Sequence, residues 1–481
     1  MQALKDKAIR GGAVKIIGQA TCLVLRIGTI MVVARLIAPN EFGIVAMVTV
    51  VTGLFDIFAG GGLSAAMIQK ETVTDEQIST LFWINVALGA LLALLCVLIA
   101  PVVGSFYHEP RTVAVLVALA PCFFLNGLTT QHFALVERQM RYTAVVAIEV
   151  VSQILSSVLT ITLAVAGLSY WSLVGGSLLW FFLMMAGAWI ACWWLPSAPR
   201  RGIDVRSFIR FGSTLVLNNL VVYVGYNFEK LLLGRAFGSD ALGTYSRSYQ
   251  LTLLPTQMMH TALGSVAFSA LSRLQDQPAR LRSYFLKGYS IVVSMMLPVA
   301  MFCAVLADDI ILVLLGPKWT QSAPIFQLLA PTILVFGIIN PLSWLMQSTG
   351  HQGRSLRIAL VLAPVVIVAY LVGLPYGPRG VAMSYAIAMM LWLVPHVFWS
   401  VHGTPISARD LLAVVVRPLG ATFGAALAAL VMQQWTMHIP FAIVRLVLCV
   451  TVGLVVYGAL LLNVMKQKDF YQDVLRGLKR A

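Results

Sequence analysis

An all-α polytopic membrane protein of about fourteen transmembrane helices is the fold class that three features of this sequence predict. Of 481 residues, 59% are hydrophobic and 11% charged, where a soluble domain carries about 25% charge. Apolar windows of the length that crosses a bilayer, about 20 residues, recur along the whole chain. The two halves also repeat each other, which predicts two parallel six-helix repeats followed by two extra helices. A soluble multidomain enzyme is excluded, because so little charge cannot hold 481 residues in water unless most of the surface faces lipid.

The elements follow in order. The N-terminus is polar through Arg10, with Lys5 and Lys7, and the apolar run after it is too long for a signal-peptide core. That run is the first span, 13–37. The others are 43–67, 80–104, 113–133, 143–166, 172–195, 213–236, 244–268, 286–306, 323–347, 357–374, 380–400, 413–435 and 441–464. Spacing this close leaves no room for lipid-exposed sheet. After the last span, Phe470, Tyr471, Val474, Leu475 and Leu478 recur at helical spacing among Lys466, Lys468, Arg476, Lys479 and Arg480. This reads as a cytoplasmic amphipathic tail, with a solvated tail as the alternative. The six cysteines stand singly, at 22, 96, 122, 192, 303 and 449, with no CxxC pair. They read as small buried hydrophobes rather than a disulfide framework or zinc site.

The net charge of +15 would suggest nucleic acid in a soluble protein. Its placement argues otherwise. With the N-terminus inside, alternate segments hold 24 of the 33 Lys and Arg. The opposite side holds five: Arg35, Arg111, Arg235, Lys318 and Arg379. Arg26, Lys230, Arg247 and Arg445 fall within spans. Such a split orients both termini to the cytoplasm of a multi-pass membrane protein.

The internal repeat has an offset of 200 residues. Arg10-Gly11-Gly12 pairs with Arg210-Phe211-Gly212, and residues 34–43 pair with 234–243, sharing Arg35/Arg235 and Gly43/Gly243. Later the offset becomes 210, with Ala120-Pro121 and Gly127 matching Ala330-Pro331 and Gly337. An even number of spans per repeat gives parallel repeats about an axis along the membrane normal. The expected division is an N-lobe at 1–200, a C-lobe at 201–405, helices 13 and 14 at 406–465, and the tail at 466–481.

A charge at the bilayer centre costs at least about 2.5–3.5 kcal/mol on insertion scales, so each intramembrane charge needs a reason. Lys15, Gln19, Cys22, Arg26 and Thr29 fall on one helical face of the first span. Asn219, Tyr223, Tyr226 and Lys230 do so on the seventh, with Glu229 adjoining. Thr49, Thr52 and Asp56 on the second match Tyr249, Thr252 and Thr256 on the eighth. Four stripes at repeat-related places predict a cationic aqueous cavity for an anionic head group, bound by Lys15, Gln19, Arg26, Arg35, Asn219, Tyr223, Tyr226, Lys230 and Arg247. Guanidinium groups suit phosphate by their bidentate geometry. Asp56, Glu149 and Glu229 are the candidates for a coupling ion. The alternative is that Arg26–Asp56 and Glu229–Lys230 are structural pairs that neutralise each other. No GxxxxGK[ST] loop is present, the seven histidines show no metal-ligand spacing, and no outer loop is long enough for a catalytic domain. Gly60-Gly61-Gly62 lacks a strand–helix context and reads as a packing or kink site.

Residues 34–43 (ARLIAPNEFG), 62–70 (GLSAAMIQK) and 79–85 (STLFWIN) resemble the polysaccharide transporter family. These are Wzx-type flippases of the multidrug/oligosaccharidyl-lipid/polysaccharide exporter superfamily. Gly234-Arg235-Ala236-Phe237-Gly238 and the segment 242–249 (LGTYSRSY) agree. The resemblance implies transport of an undecaprenyl-diphosphate-linked oligosaccharide from the cytoplasmic to the outer leaflet by alternating access. It implies coupling to H+ or Na+ without another cofactor, and spans 413–435 and 441–464 as a groove for the lipid tail. The implied partners are the lipid-linked oligosaccharide, membrane lipids, and the polymerase and chain-length regulator of the same pathway. The alternatives are a drug/cation antiporter of the superfamily, a lipid II flippase, and a membrane polysaccharide polymerase or ligase.

Overall fold

A computed structural model describes residues 2–59, 67, 73–198, 206–465, 467, 468 and 471, and every regular element among them is helical. The Gly60-Gly61-Gly62 run, most of the 62–70 motif and most of the amphipathic tail lie outside the described residues. Among the described residues, eleven helices are long and apolar enough to cross a membrane. They cover twelve of the fourteen windows, because Gly353–Val401 contains two of them. The remaining windows, 213–236 and 244–268, lie on one helix whose apolar residues are interrupted by Asn218, Asn219, Asn227, Gln250 and Gln257.

The chain divides into two compact units, 1–243 and 244–481. The six-helix repeats are a statement about similarity along the chain; compactness follows packing, and it places the first half of α8 with the first unit.

In the first unit, α1 (Gln2–Leu36) packs on α6 (Tyr142–Val165). Gly18 lies directly against Val146, so a side chain at 18 would collide with it. After α2 (Pro39–Ala59), α3 (Asp75–Tyr107) opens on a capping box. Thr74 Oγ1 accepts from the Gln77 amide at 3.2 Å, and Gln77 Oε1 accepts from the Thr74 amide at 3.2 Å. It closes on His108 in the left-handed region. The short α4 (Arg111–Leu119) runs on into α5 (Pro121–Arg138) to make a single crossing. Proline in the first helical turn needs no amide, which lets α5 begin there. Between α6 and α7 (Tyr170–Ala191), Ser156 Oγ donates to the Gly176 carbonyl at 2.8 Å. Ser152, Ser156 and Thr160, four residues apart, are all buried on that face. Small residues and interhelical hydroxyl bonds hold this pair, as expected where lipid removes the hydrophobic drive for helix association.

Helix α8 (Arg206–Ser272) is 67 residues long and breaks at Gly238, whose φ of 77° is open to glycine at no steric cost. The break is the turn expected between the seventh and eighth spans.

The second unit continues with α9 (Pro278–Val305), α10 (Ala307–Leu314), α11 (Ser322–Leu329), α12 (Pro331–Ser348), α13 (Gln352–Gly373), α14 (Gly377–Val401), α15 (Ala408–Thr436) and α16 (Ala442–Ala459). Its core joins Phe285, Tyr289 and Met296 of α9 to Leu342 and Leu345 of α12. Asp410 caps α15 through the Ser407 amide at 3.0 Å and receives Arg282 of α9 at 2.6 Å. Tyr457 of α16 donates to the Ser294 carbonyl of α9 at 2.8 Å. Arg445, one of the intramembrane cations, forms an ion pair with the buried Asp309 of α10 (Nε–Oδ1 3.1 Å) and donates to the Ile439 carbonyl at 2.9 Å.

Removing one partner of a buried pair leaves the other charge desolvated. Asp309→Asn is therefore expected to destabilise the detergent-solubilised protein by on the order of 3 kcal/mol, read as a lowered unfolding midpoint. Arg445→Met with Asp309→Leu should recover most of that loss.

Candidate functional site

The first unit brings the predicted residues into two groups. The first lies along α1 and α6. Lys15 Nζ forms an ion pair with Glu137 at 2.9 Å and stands 6.0 Å from the Tyr142 ring centre. Gln19 and Cys22 are half-buried on the same helix. Cys22 is within electrostatic range of both Glu149 and Arg26, and Glu149 is within range of Lys15. Arg26 is exposed, and among the described residues no ion pair engages it. Arg35 is exposed at the end of α1.

The second group gathers on α2 and the first half of α8. The Tyr223 hydroxyl lies 2.9 Å from the Val50 carbonyl and 3.2 Å from that of Thr49. Gly53 of α2 is the space it occupies, since a side chain at 53 would meet the phenol. Asp56 follows one turn on, exposed and without an ion pair among the described residues. It is within electrostatic range of Tyr223, Cys96 and Cys122. Asn227 Nδ2 donates to the Tyr223 carbonyl at 3.0 Å, and Lys230 Nζ donates to Asn227 Oδ1 at 2.7 Å. Glu229 is fully buried. Asn219 is exposed and Tyr226 half-buried on the same half-helix.

The Arg26–Asp56 structural pair is absent from the described residues. Each is exposed on its own helix. Lys15, by contrast, is already held by Glu137. In the second unit Arg247 donates to Gln250 Oε1 at 2.5 Å. Tyr249, Thr252 and Thr256 are buried, and Thr252 donates to the Ser248 carbonyl at 2.9 Å. That stripe packs inside its own unit in this structure. Gly53 and Asn227 are not among the residues of the sequence stripes. Their signal was available, since Asn227 is four residues from Tyr223 and Gly53 lies beside the Thr49–Thr52–Asp56 face.

A further cluster joins the α2, α3, α4 and α7 ends. Arg111 reaches Glu109 at 2.8 Å and Glu41 at 3.5 Å, and Ser169 donates to Glu41 in a short hydrogen bond. The Arg111 guanidinium beside Glu109 holds its carboxyl below the usual range.

A bundle of long apolar helices with polar residues along α1, α2 and α8 defines a multi-pass membrane protein, and likeness to known proteins places it more closely. The chain belongs to the polysaccharide biosynthesis protein family, whose profile matches residues 32–324. It is 23% identical over 398 residues to the lipopolysaccharide biosynthesis protein WzxC of Escherichia coli K12, covering 81% of this chain and 80% of that one. It is 22% identical over 450 residues to the succinoglycan biosynthesis transport protein ExoT of Rhizobium meliloti, covering 91% and 89%. The fold is that of the lipid II flippase MurJ in its inward closed conformation, with a TM-score of 0.76 at 13% identity over 95% of this chain and 99% of that one. The family agrees with the resemblance drawn from residues 34–43 and 79–85.

Because the folded-state pKa of Glu109 is depressed, its contribution to stability is present above the ordinary glutamate range, about 4.3, and is lost as the pH falls through the lowered value. Glu109→Gln should lower the unfolding midpoint at pH 7 by the small amount typical of exposed pairs. The gap from wild type should close as the pH is taken below that range.

Proposed function

We propose that this protein is a flippase. It moves an undecaprenyl-diphosphate-linked oligosaccharide from the cytoplasmic to the outer leaflet of the bacterial inner membrane, for exopolysaccharide, capsule or lipopolysaccharide synthesis. Both termini lie in the cytoplasm, as the 24-to-5 division of basic residues supports. Membership of the polysaccharide biosynthesis family and likeness to a named transport protein support the substrate class. The flippase fold suits the physical problem, since a diphosphate-sugar head cannot cross hydrocarbon whereas its polyprenyl tail need never leave it.

One observation carries the assignment. Arg26 sits in the middle of a membrane-crossing helix, exposed and without an ion pair among the described residues. A guanidinium in that position is costly unless water or an anion attends it, and a diphosphate is the anion whose geometry it matches. Arg35 and Lys230 supplement it, while Gln19, Asn219, Tyr223 and Tyr226 offer hydrogen bonds to sugars. Asp56 is the foremost candidate for coupling to H+ or Na+, and Glu149 and Glu229 are the other candidates. The polymerase and chain-length regulator of the pathway consume the delivered unit.

The test is complementation of a deletion strain. Arg26→Ala should abolish polymer export while inserting at the wild-type level, and Arg26→Lys should retain part of it because an ammonium keeps the charge but not the bidentate fork. Full export by a well-inserted Arg26→Ala variant overturns the site. In proteoliposomes, the purified protein should expose a lectin-accessible lipid-linked oligosaccharide on the far leaflet. Its failure to do so, with drug efflux instead, overturns the function.

A further inference from the structure

We propose that Gly43, Gly243 and Tyr223 form the gate that closes the outer end of the transport route between α2 and the stretch of α8 on either side of its break at Gly238. The proposal rests on the transport reading and on the orientation given by the basic residues.

The contact is reciprocal. Gly43 and Gly243 stand 200 residues apart, as do Pro39 and Ser239, which is the offset of the internal repeat. Gly43 packs on the Ser239 carbonyl so closely that any Cβ there would overlap it. Gly243 packs in the same way on the Pro39 carbonyl, and a Cβ there would also lie 3.1 Å from the Gly43 amide nitrogen. Each repeat therefore presents the same glycine to the same position of the other, as in a two-fold contact. Backbone meets backbone with no side chain between them, an approach that only glycine permits. The break at Gly238 turns α8 so that Ser239 can reach α2.

The seal extends inward. The Tyr223 hydroxyl seats on the Thr49 and Val50 carbonyls above Gly53. From Gly43 to Gly53 is about 15 Å along α2 at 1.5 Å per residue, or about half of a 30 Å hydrocarbon layer. Neighbouring contacts fasten the same end of α8 to α3: Tyr107 packs on Gly234, and Arg235 Nη1 lies 2.8 Å from His108 Nδ1. A diphosphate-sugar head cannot pass where two backbones touch, so α2 and α8 must part here to release it outward. The seal suits repeated opening. At the glycines it uses dispersion between small surfaces, and deeper in it uses one hydroxyl that can turn to water.

The test reads accessibility rather than transport. The full chain, with its six cysteines replaced by alanine, carries the reporter Thr49→Cys at a position exposed in this structure. A membrane-impermeant maleimide is applied to intact cells for the outer face and to inverted vesicles for the inner face. The reporter should label readily from inside and slowly from outside. Tyr223→Phe removes one hydrogen bond from the closed form and should raise the outside rate roughly two- to tenfold. Gly43→Val and Gly243→Val should raise it further by wedging the backbones apart. Outside labelling unchanged in Tyr223→Phe and in either inserted glycine variant, with inside labelling intact, overturns the gate. If the glycine variants fail to insert, Tyr223→Phe alone decides. The assay needs no lipid-linked substrate, so it stands if the transport reading fails. Loss of polymer export with unchanged labelling counts against the gate and leaves transport untouched.

Discussion

Polar groups placed in hydrocarbon must find their partners inside the protein, and this requirement shapes the contacts throughout the bundle. The Tyr223 hydroxyl on the carbonyls of Thr49 and Val50 is the central instance, because it fastens α8 to α2 at mid-depth. Ser156 on Gly176 does the same for α6 and α7, and Tyr457 on Ser294 for α9 and α16. Where no polar bond is available, glycine brings the helices close enough for dispersion to hold them, as Gly18 does on Val146 and Gly43 on Ser239.

Against that background, the groups left unmatched stand out. Asp309 and Arg445 answer each other, and so do Lys15 and Glu137. Arg26 and Asp56 carry opposite charges at mid-span, and among the described residues each lacks an ion pair. A stable membrane protein with nothing to transport would gain by pairing or deleting them. The transport site proposed above rests on that isolation.

The helical architecture was legible because its signal is local. Twenty apolar residues in a row satisfy their own backbone only as a helix, so the windows at 80–104 and 143–166 recur as α3 and α6 with their ends moved by a few residues. Proline and glycine marked the turns well: Pro39 opens α2 and Gly238 breaks α8. The two windows on α8 were less apolar than the rest, since Asn218, Asn219, Asn227, Gln250 and Gln257 interrupt them. The partners of the charged side chains were not legible. Lys15 finds Glu137 at 122 residues' separation and Arg445 finds Asp309 at 136, and no periodicity within a helix reports on a neighbour so distant in the chain.

By itself, the sequence determined that this chain crosses a membrane many times as helices. It also determined that segments 200 residues apart resemble each other, that its basic residues gather in alternate segments between the apolar windows, and which side chains fall in polar stripes. Hydropathy, repeat offset and helical period are properties of short segments, so they survive without knowledge of packing. Only the tertiary structure decided that Lys15 is held by Glu137, that Arg26 and Asp56 stand apart, that Tyr223 seats over Gly53, and that Gly43 and Gly243 clasp reciprocally. These outcomes depend on which helices touch and at what depth, and that depends on the shapes of whole surfaces rather than on any single stretch of chain.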